Sequence, residues 1–304
     1  MLGIDVETFA VNGKGYAVPA LKLFEDMPMI GDFPRRRITK NYGKGPFTSY
    51  EYVTPFGSII EDGLAIEFPV KPENHYGRLV ENLETMLLAT RIEVQNTFGF
   101  ALTCAPIVNF AKAYKTRPEL RVFGCNPDQS IYTGNIGKPD IDPTTISWRT
   151  SGGHFHFSCG VTEMSDIQTF ILLADLTLGL GDVLLDHSEL AQRRRDIYGQ
   201  PGKFRIQPHG VEYRTCSSVW VRTNITRLLF GELLKFLVDH WQTIDINKLL
   251  ATHDVPKLLE IIQNPHMFAK ESSAQISTLF RTLGLSHIYS ELTYQEHYFS
   301  YYIQ

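Results

Sequence analysis

Three short segments of this chain each set two polar residues two positions apart in an otherwise apolar stretch. They are Asp5 and Glu7 in GIDVETF, His154 and His156 in SGGHFHFSCG, and Glu212 and Arg214 in GVEYRTCSS. Side chains at i and i+2 of a β-strand share a face. Each segment therefore predicts a strand that projects both polar groups to one side. GIDVETFAV ends at the turn Asn12-Gly13-Lys14-Gly15 and is followed by YAVPALKL, which together read as a strand–turn–strand hairpin. SIIEDGLAIEFPV predicts a tight turn at Asp62-Gly63 and a strand to Val70. FALTCAPIVNF predicts a strand with a bend or edge at Pro106. RIQPHGVEYRTCSSVWV is strand-like about a turn at Pro208-His209-Gly210. Residues 25–50 are dense in Gly, Pro and charge, contain Arg35-Arg36-Arg37, and read as a long loop. Asn126-Pro127-Asp128 and the stretch from Asn135 to Pro143 also read as loops.

Helical spacing appears elsewhere. Leu79, Val80, Leu83, Met86, Leu87 and Val94 mark one helix between Tyr76 and Phe98. Ile225, Leu228, Leu229, Leu233, Phe236 and Leu237 mark another between Asn224 and Trp241. Ser165 suits the cap of a helix from Asp166 to about His187. The longest apolar stretch, Ile167 to Leu185, holds Asp175, Thr177 and Asp182, so it reads as a buried helix and not as a membrane span. The remainder is mainly helical, and its aromatic tail HYFSYYIQ is expected to pack on the body. The pattern fits one α+β domain over residues 1–304. Its motif-bearing core runs to about 222, its helical part covers about 223–304, and helices cover the sheet face opposite the site.

Composition narrows the classes. With 304 residues, 43% hydrophobic and 20% charged, the chain has ordinary globular composition. A formal net charge of -4 gives no general attraction to nucleic acid or anionic lipid. The N-terminus lacks the basic region of a secretory signal. Cys104, Cys125, Cys159 and Cys216 form no CxxC pair and do not resemble a zinc site; four cysteines could form two disulfides, but without a signal peptide reduced thiols in the cytoplasm are expected. The chain holds no GxxxxGK[ST], no GxGxxG and no GxSxG. Any nucleotide chemistry would use acids, His and Arg on strands.

The candidate groups admit structural as well as functional readings. Asp5 and Glu7 repel one another unless a proton or a cation intervenes, and oxygen ligands suit Mg²⁺; two exposed acids would look the same. Glu67, between Ile66 and Phe68, is paired, ligates metal or faces solvent. Phe155 and Phe157 want the core, so His154 and His156 face the other way, toward a cleft. Glu212 with Arg214 is either a structural ion pair or a metal carboxylate beside a phosphate-binding guanidinium. Arg193-Arg194-Arg195 read as a solvated helix end. Arg205, between a glycine turn and the Glu212 strand, points more to function.

Taken in order, GIDVETF, IEDGLAIEFPVKP, FGCNPDQSIYTG, RTSGGHFHFS and RRRDIYGQPGKFRIQPHGVEYRTCSSVW resemble the phage-type carboxylate–amine ligases (amidoligase family, type 2). That family resembles glutamine synthetase and glutamate–cysteine ligase. The resemblance spans roughly Gly3 to Trp220. It implies a glutamine-synthetase-like antiparallel sheet whose concave face holds ATP with two or three Mg²⁺ ions, Mn²⁺ being able to substitute. It implies metal ligation by Asp5, Glu7, Glu67, His154 and Glu212, with Asp62 similar to a recurrent acid beside them. It places His156 near the nucleotide, and Arg205 and Arg214 on phosphate, with Glu212, Arg205 and Arg214 in the catalytic set. This chain has Asp5 where better-known relatives have Glu. The implied reaction joins a carboxylate and an amine through an acyl phosphate. The expected substrates are an amino acid, a peptide or a peptide-like cell-wall component, in a bacterial or phage-infected cytoplasm, with no membrane or nucleic-acid partner. Two other readings stand beside it: a His-ligated transition-metal oxygenase or hydrolase, and a non-catalytic phage-associated binding protein.

Overall fold

The computed structural model describes residues 1–41, 46–121, 128–134, 136–137, 141–297 and 300–303, with the backbone alone at positions 41, 47 and 118. In chain order the strands are β1 (Leu2–Val11), β2 (Ala17–Val18), β3 (Met29–Ile30), β4 (Phe33–Asn41), β5 (Pro46–Thr54), β6 (Gly57–Asp62), β7 (Ala65–Glu73), β8 (Ala101–Thr103), β9 (Ile107–Asn109), β10 (Asp128–Ser130), β11 (Ile136–Gly137), β12 (Trp148–Thr150), β13 (Gly153–Phe157), β14 (Lys203–Gln207) and β15 (Gly210–Tyr213). The helices are α1 (Ala20–Asp26), α2 (Tyr76–Phe98), α3 (Met164–Ala174), α4 (Leu180–Leu185), α5 (Glu189–Arg195), α6 (Asn224–His240), α7 (Ile246–Thr252), α8 (Val255–Gln263), α9 (Lys270–Thr282) and α10 (Ser286–Glu296). The order of the main sheet is β11-β10-β14-β15-β13-β1-β7-β6-β5-β4-β3, with β2 and β8 also paired to β1. Strands β9 and β12 form a separate pair.

The pairing is antiparallel, and its register sorts the side chains. Asp5 lies opposite His154, Glu7 opposite Glu67, and His156 and Arg205 both opposite Glu212. Directly opposed residues share a face, so one face of the central strands carries these polar groups. The alternate positions, among them Ile4, Val6, Phe68, Phe155, Phe157 and Tyr213, are buried in the core. The helices pack there. Phe155 lies 5.0 Å from the Trp220 ring, and Phe157 packs edge-on to Phe170 of α3 at 4.7 Å. Gly153 has no Cβ because the Trp220 indole and the Ser217 carbonyl occupy that space.

Several expectations need correction. The stretch 25–50 is not a loop. Strands β4 and β5 pair from Arg35↔Tyr52 to Asn41↔Pro46, and residues 42–45 lie outside the described residues. Charge misled here, because charged residues suit an exposed strand: Arg36 pairs with Glu51 across the two strands, and Arg35 stacks on Tyr50. YAVPALKL yields only two strand residues. Pro19 then opens α1, whose Ala20, Leu23 and Phe24 are buried at helical spacing. FALTCAPIVNF splits into β8 and β9. The helix expected from Asp166 starts earlier, with Glu163 rather than Ser165 at the cap position, and a π-helical turn at Asp175–Gly179 interrupts it. Met164–Leu185 is long and apolar enough to cross a membrane, yet 83% of its most apolar window is buried in the protein, as a core helix would be. Asn126, Pro127, Cys125 and part of the 135–143 stretch lie outside the described residues. Cys104, Cys159 and Cys216 are free thiols. The tail does dock: the Tyr301 carbonyl accepts from Cys104 N at 2.8 Å, and Ile303 is buried.

The largest correction concerns Arg193-Arg194-Arg195. Strand β15 stops at Tyr213, and Thr215–Ser218 continues as irregular, fully buried backbone. Such backbone needs partners for its polar groups. Helix α5 supplies them. Arg194 Nε donates to Ser151 O at 2.7 Å, Nη1 to Thr215 O at 2.8 Å and Nη2 to Cys216 O at 2.7 Å. Arg195 donates to the carbonyls of Gly199 and Thr215 and pairs with Asp182 at 2.7 Å. Asp182 in turn accepts from Ser217 N at 3.2 Å and Ser217 Oγ at 2.8 Å. Only Arg193 of the three is exposed.

Replacing Arg194 with Met would leave the buried Ser151 carbonyl without its donor, at a cost of about 1–3 kcal/mol, and would strip one of two donors from the Thr215 and Cys216 carbonyls, which keep Arg195 and Gly153 N. Chemical denaturation should show a loss of roughly 2–3 kcal/mol for Arg194→Met. Arg193→Ala should stay within about 0.5 kcal/mol of wild type. Equal effects for the two would show that the clamp is not what holds this segment.

Candidate active site

The centre of the polar face is acidic. Asp5 and Glu7 come from β1, Glu67 from β7 and Asp62 from the end of β6. All four are half-buried. Asp5 and Glu67 share a hydrogen bond, which requires a proton on one of them. Burial raises Asp5 to about 6, with Glu212 and Asp62 adding repulsion against the Glu67 contact and Arg214. Burial, then Asp62 and Asp5, raises Glu7 to about 8. Glu67 is pushed well above the ordinary carboxylate range by burial and by Asp5, Asp62 and Glu7. Asp62 also rises through burial, with Lys40 opposing. Glu7 is oriented by backbone: its carboxylate accepts from Gly152 N at 2.7 Å, and its own N donates to Gly152 O at 2.9 Å.

Acids held this close without a cation take up protons; a hard divalent cation would let them ionise. The donor set fits such an ion in kind. It is oxygen throughout, and buried Asp5 Oδ1 has no hydrogen-bond partner. It does not form a ready cage, since among the described residues no three His, Cys, Asp or Glu groups converge closely enough to hold a metal.

The neighbouring strands β13, β15 and β14 carry a cationic cluster. Glu212 accepts from Arg205 Nη1 at 3.1 Å and Gln207 Nε2 at 2.6 Å on one oxygen, and from Arg214 on the other. Burial pushes Glu212 up, but Arg214, His156 and Arg205 outweigh it and hold the carboxyl below its ordinary value. Arg214 is buried. Burial works against its charge, yet Tyr198 and Glu212 raise its pKa. Asp128 flanks it, 3.9 Å from Arg214 Nε and 3.1 Å from Lys203. His154 Nδ1 lies 3.3 Å from Arg214 Nη1, and its Nε2 lies 3.2 Å from the Tyr198 hydroxyl. Burial and the arginines push His154 well below its ordinary value. His156 is half-buried and also lowered, by burial first, with Glu212 opposing. It stands over Gly3, where an added Cβ would come within 3.2 Å of the His156 Cβ.

The structure thus places Asp5, Glu7, Glu67, His154, His156, Glu212, Arg214 and Arg205 on one face, but in two clusters. Asp5, Glu7 and Glu67 form the acidic one. His154 and Glu212, expected among the metal ligands, sit instead in the arginine cluster, with both ring nitrogens and both carboxylate oxygens already engaged. A metal would have to displace one of those contacts. Tyr198 and Asp128 have no place in the sequence reading of the site, and neither the cation Lys203 nor Gln207 is given a role by it. The last two lie at i±2 from Arg205 on β14, so the alternation rule could have found them. Asp128 and Tyr198 lack such a pattern signal.

The acid cluster predicts a pH dependence. The folded-state pKa of Glu7, about 8, exceeds its ordinary 4.5. Its contribution to stability is therefore fully present below about 4.5 and is lost as pH rises through about 8. Without divalent cation, the wild-type Tm should fall relative to that of Glu7→Gln by roughly 5 °C between pH 5 and pH 8. Millimolar Mg²⁺ should stabilise wild type more at pH 8 than at pH 5, because cation and protons compete. Parallel Tm–pH curves for the two proteins would refute the shift.

No curated protein gives a significant match to this chain. A family model does match, and it supports a carboxylate–amine ligase in general terms. It covers residues 145–255, the segment that carries His154, His156, Arg205, Glu212 and Arg214, and its description is that of the family the motifs resemble: the phage phiEco32-like COOH.NH2 ligase, type 2.

Proposed function

We propose that this chain is an ATP- and Mg²⁺-dependent ligase that forms an amide from a carboxylate and an amine. The observation that carries the reading is the juxtaposition, on one sheet face, of an acid cluster suited to a hard cation and an arginine cluster suited to phosphate. The match to a carboxylate–amine ligase family supports it.

Asp5, Glu7 and Glu67 would hold Mg²⁺, with Asp62 beside them. The bound ion would neutralise charge on the transferring phosphoryl group. Arg205, half-buried on β14, would meet phosphate oxygens, while buried Arg214 sets the positive field behind it. His156, facing the same space and kept neutral, would border the nucleotide. A substrate carboxylate oxygen would attack the γ-phosphorus and release ADP. The amine nitrogen would then attack the acyl carbon, release phosphate and lose a proton. Amino acids, peptides and peptide-like wall components all fit this chemistry, and the setting is a bacterial or phage-infected cytoplasm. The transition-metal reading is disfavoured by His154, whose two ring nitrogens are both engaged by protein.

Calorimetry with ATP, with and without Mg²⁺, tests the proposal on wild type and Arg205→Ala. Expected are Mg²⁺-dependent binding and an affinity loss of about tenfold or more in the variant. Phosphate release should then need both a carboxylate and an amine. Wild type that binds no nucleotide under any divalent-metal condition would overturn it.

A further inference from the structure

Tyr198 touches two residues of the arginine cluster at once. It is 8% exposed and lies between α5 and β14. Its phenol oxygen accepts from Arg214 Nη2 and sits 3.2 Å from His154 Nε2. Its ring is flanked by two guanidiniums, with Arg194 and Arg214 at 5.4 Å and 5.6 Å from the centroid. Arg194 is the same residue that holds the backbone at Ser151, Thr215 and Cys216.

The hydrogen-bond directions are determined. A guanidinium only donates. Arg214 Nη1 is 3.3 Å from His154 Nδ1, so Nδ1 presents its lone pair. A neutral imidazole then carries its proton on Nε2, which donates to the phenol oxygen. The other tautomer would set Nδ1–H against an Arg214 donor. The nearest carboxylate oxygen, Glu212 Oε1, is 3.6 Å from Nδ1 and too far to compensate. Desolvation of His154 and the nearby arginines favour the neutral ring.

We infer that Tyr198 is a positioning residue of this site: its phenol oxygen fixes the plane of the Arg214 guanidinium, whose Nη1 faces His154 Nδ1, and accepts from Nε2–H, so that together they lock His154 as the Nε2–H tautomer. The lock depends on the geometry alone, while its effect on nucleotide rests on the ligase reading above. Within that reading, Tyr198 transmits the Arg194 backbone clamp to the phosphate-binding end of the face. Two residues that resemble metal and phosphate ligands are thereby held by one hydroxyl that touches neither substrate.

Tyr198→Phe removes the oxygen and keeps the ring between the guanidiniums. The protein is labelled with ¹⁵N in its histidine rings, and the His154 signals are assigned by their loss in His154→Gln. Wild type should show a single Nε2–H tautomer. Tyr198→Phe should show a mixture of tautomers, with MgATP affinity about tenfold weaker. The tautomer readout needs no nucleotide. Wild type that binds no MgATP would therefore sink the ligase reading and leave the lock to be judged by the spectrum. An Nδ1–H form in wild type overturns the inference. So does a retained single Nε2–H tautomer in the variant, or an unchanged affinity where wild type binds MgATP. Should the variant not fold, the wild-type Nε2 proton decides: a downfield, hydrogen-bonded Nε2–H signal supports the lock, and an Nδ1–H form or an Nε2–H without that downfield shift overturns it.

Discussion

Backbone that leaves a sheet inside a protein must find hydrogen-bond partners there, and the arginine pair of α5 meets that constraint here. Arg214 and Thr215–Ser218 are buried without regular structure directly after the strand that carries Glu212. Ser151 and Gly152 play the equivalent part before His154. Arg194 binds carbonyls from both segments. A rigid planar fork can do this where a lysine could not, since three fixed donors meet three fixed acceptors. The spacing of β13 and β15 at the site is thus set by one guanidinium lying outside the sheet. The Arg195–Asp182 pair extends the same clamp to the core helix.

The polar face then divides by charge. Acids occupy β1, β7 and β6; cations occupy β14 and the residue that follows β15; His154 and His156 lie on the strand between them. The division follows from register. A slip of one residue between β1 and β13 would turn Asp5 and Glu7 toward Phe155 and Phe157 and bury uncompensated charge. The aromatic packing of Phe155 on Trp220 and Phe157 on Phe170 opposes that slip from below. Core and site therefore specify the same alignment.

Much of this was legible in the chain. The i, i+2 pairs placed Asp5, Glu7, His154, His156 and Glu212 on strands, Arg214 falling one residue past β15, and helical spacing located α2 at its observed ends and α6 to within one residue. What failed did so for identifiable reasons. Charge density hid β4, because cross-strand pairs such as Arg36–Glu51 are invisible without the register. Pro19 was read inside a strand although it opens a helix. A run of three arginines suggested solvent, since local sequence cannot show that distant irregular backbone needs donors. The grouping of His154 and Glu212 with Arg214, and not with the acids, depends on side-chain reach. So does the arrival of Tyr198 from a turn.

The reciprocal contact between Glu7 and Gly152 ties the two halves of the face together. Glu7 accepts from the amide of Gly152 with its side chain and donates to the carbonyl of the same residue with its backbone. An ionised Glu7 accepts more strongly than a protonated one, so occupancy of the acid cluster alters the hold on the peptide two residues before His154. Ligands of the two clusters would then be coupled through this peptide. Whatever one does to the affinity of the other is returned in equal measure, and a cation and a polyanion meeting on this face would show cooperativity even before they touched.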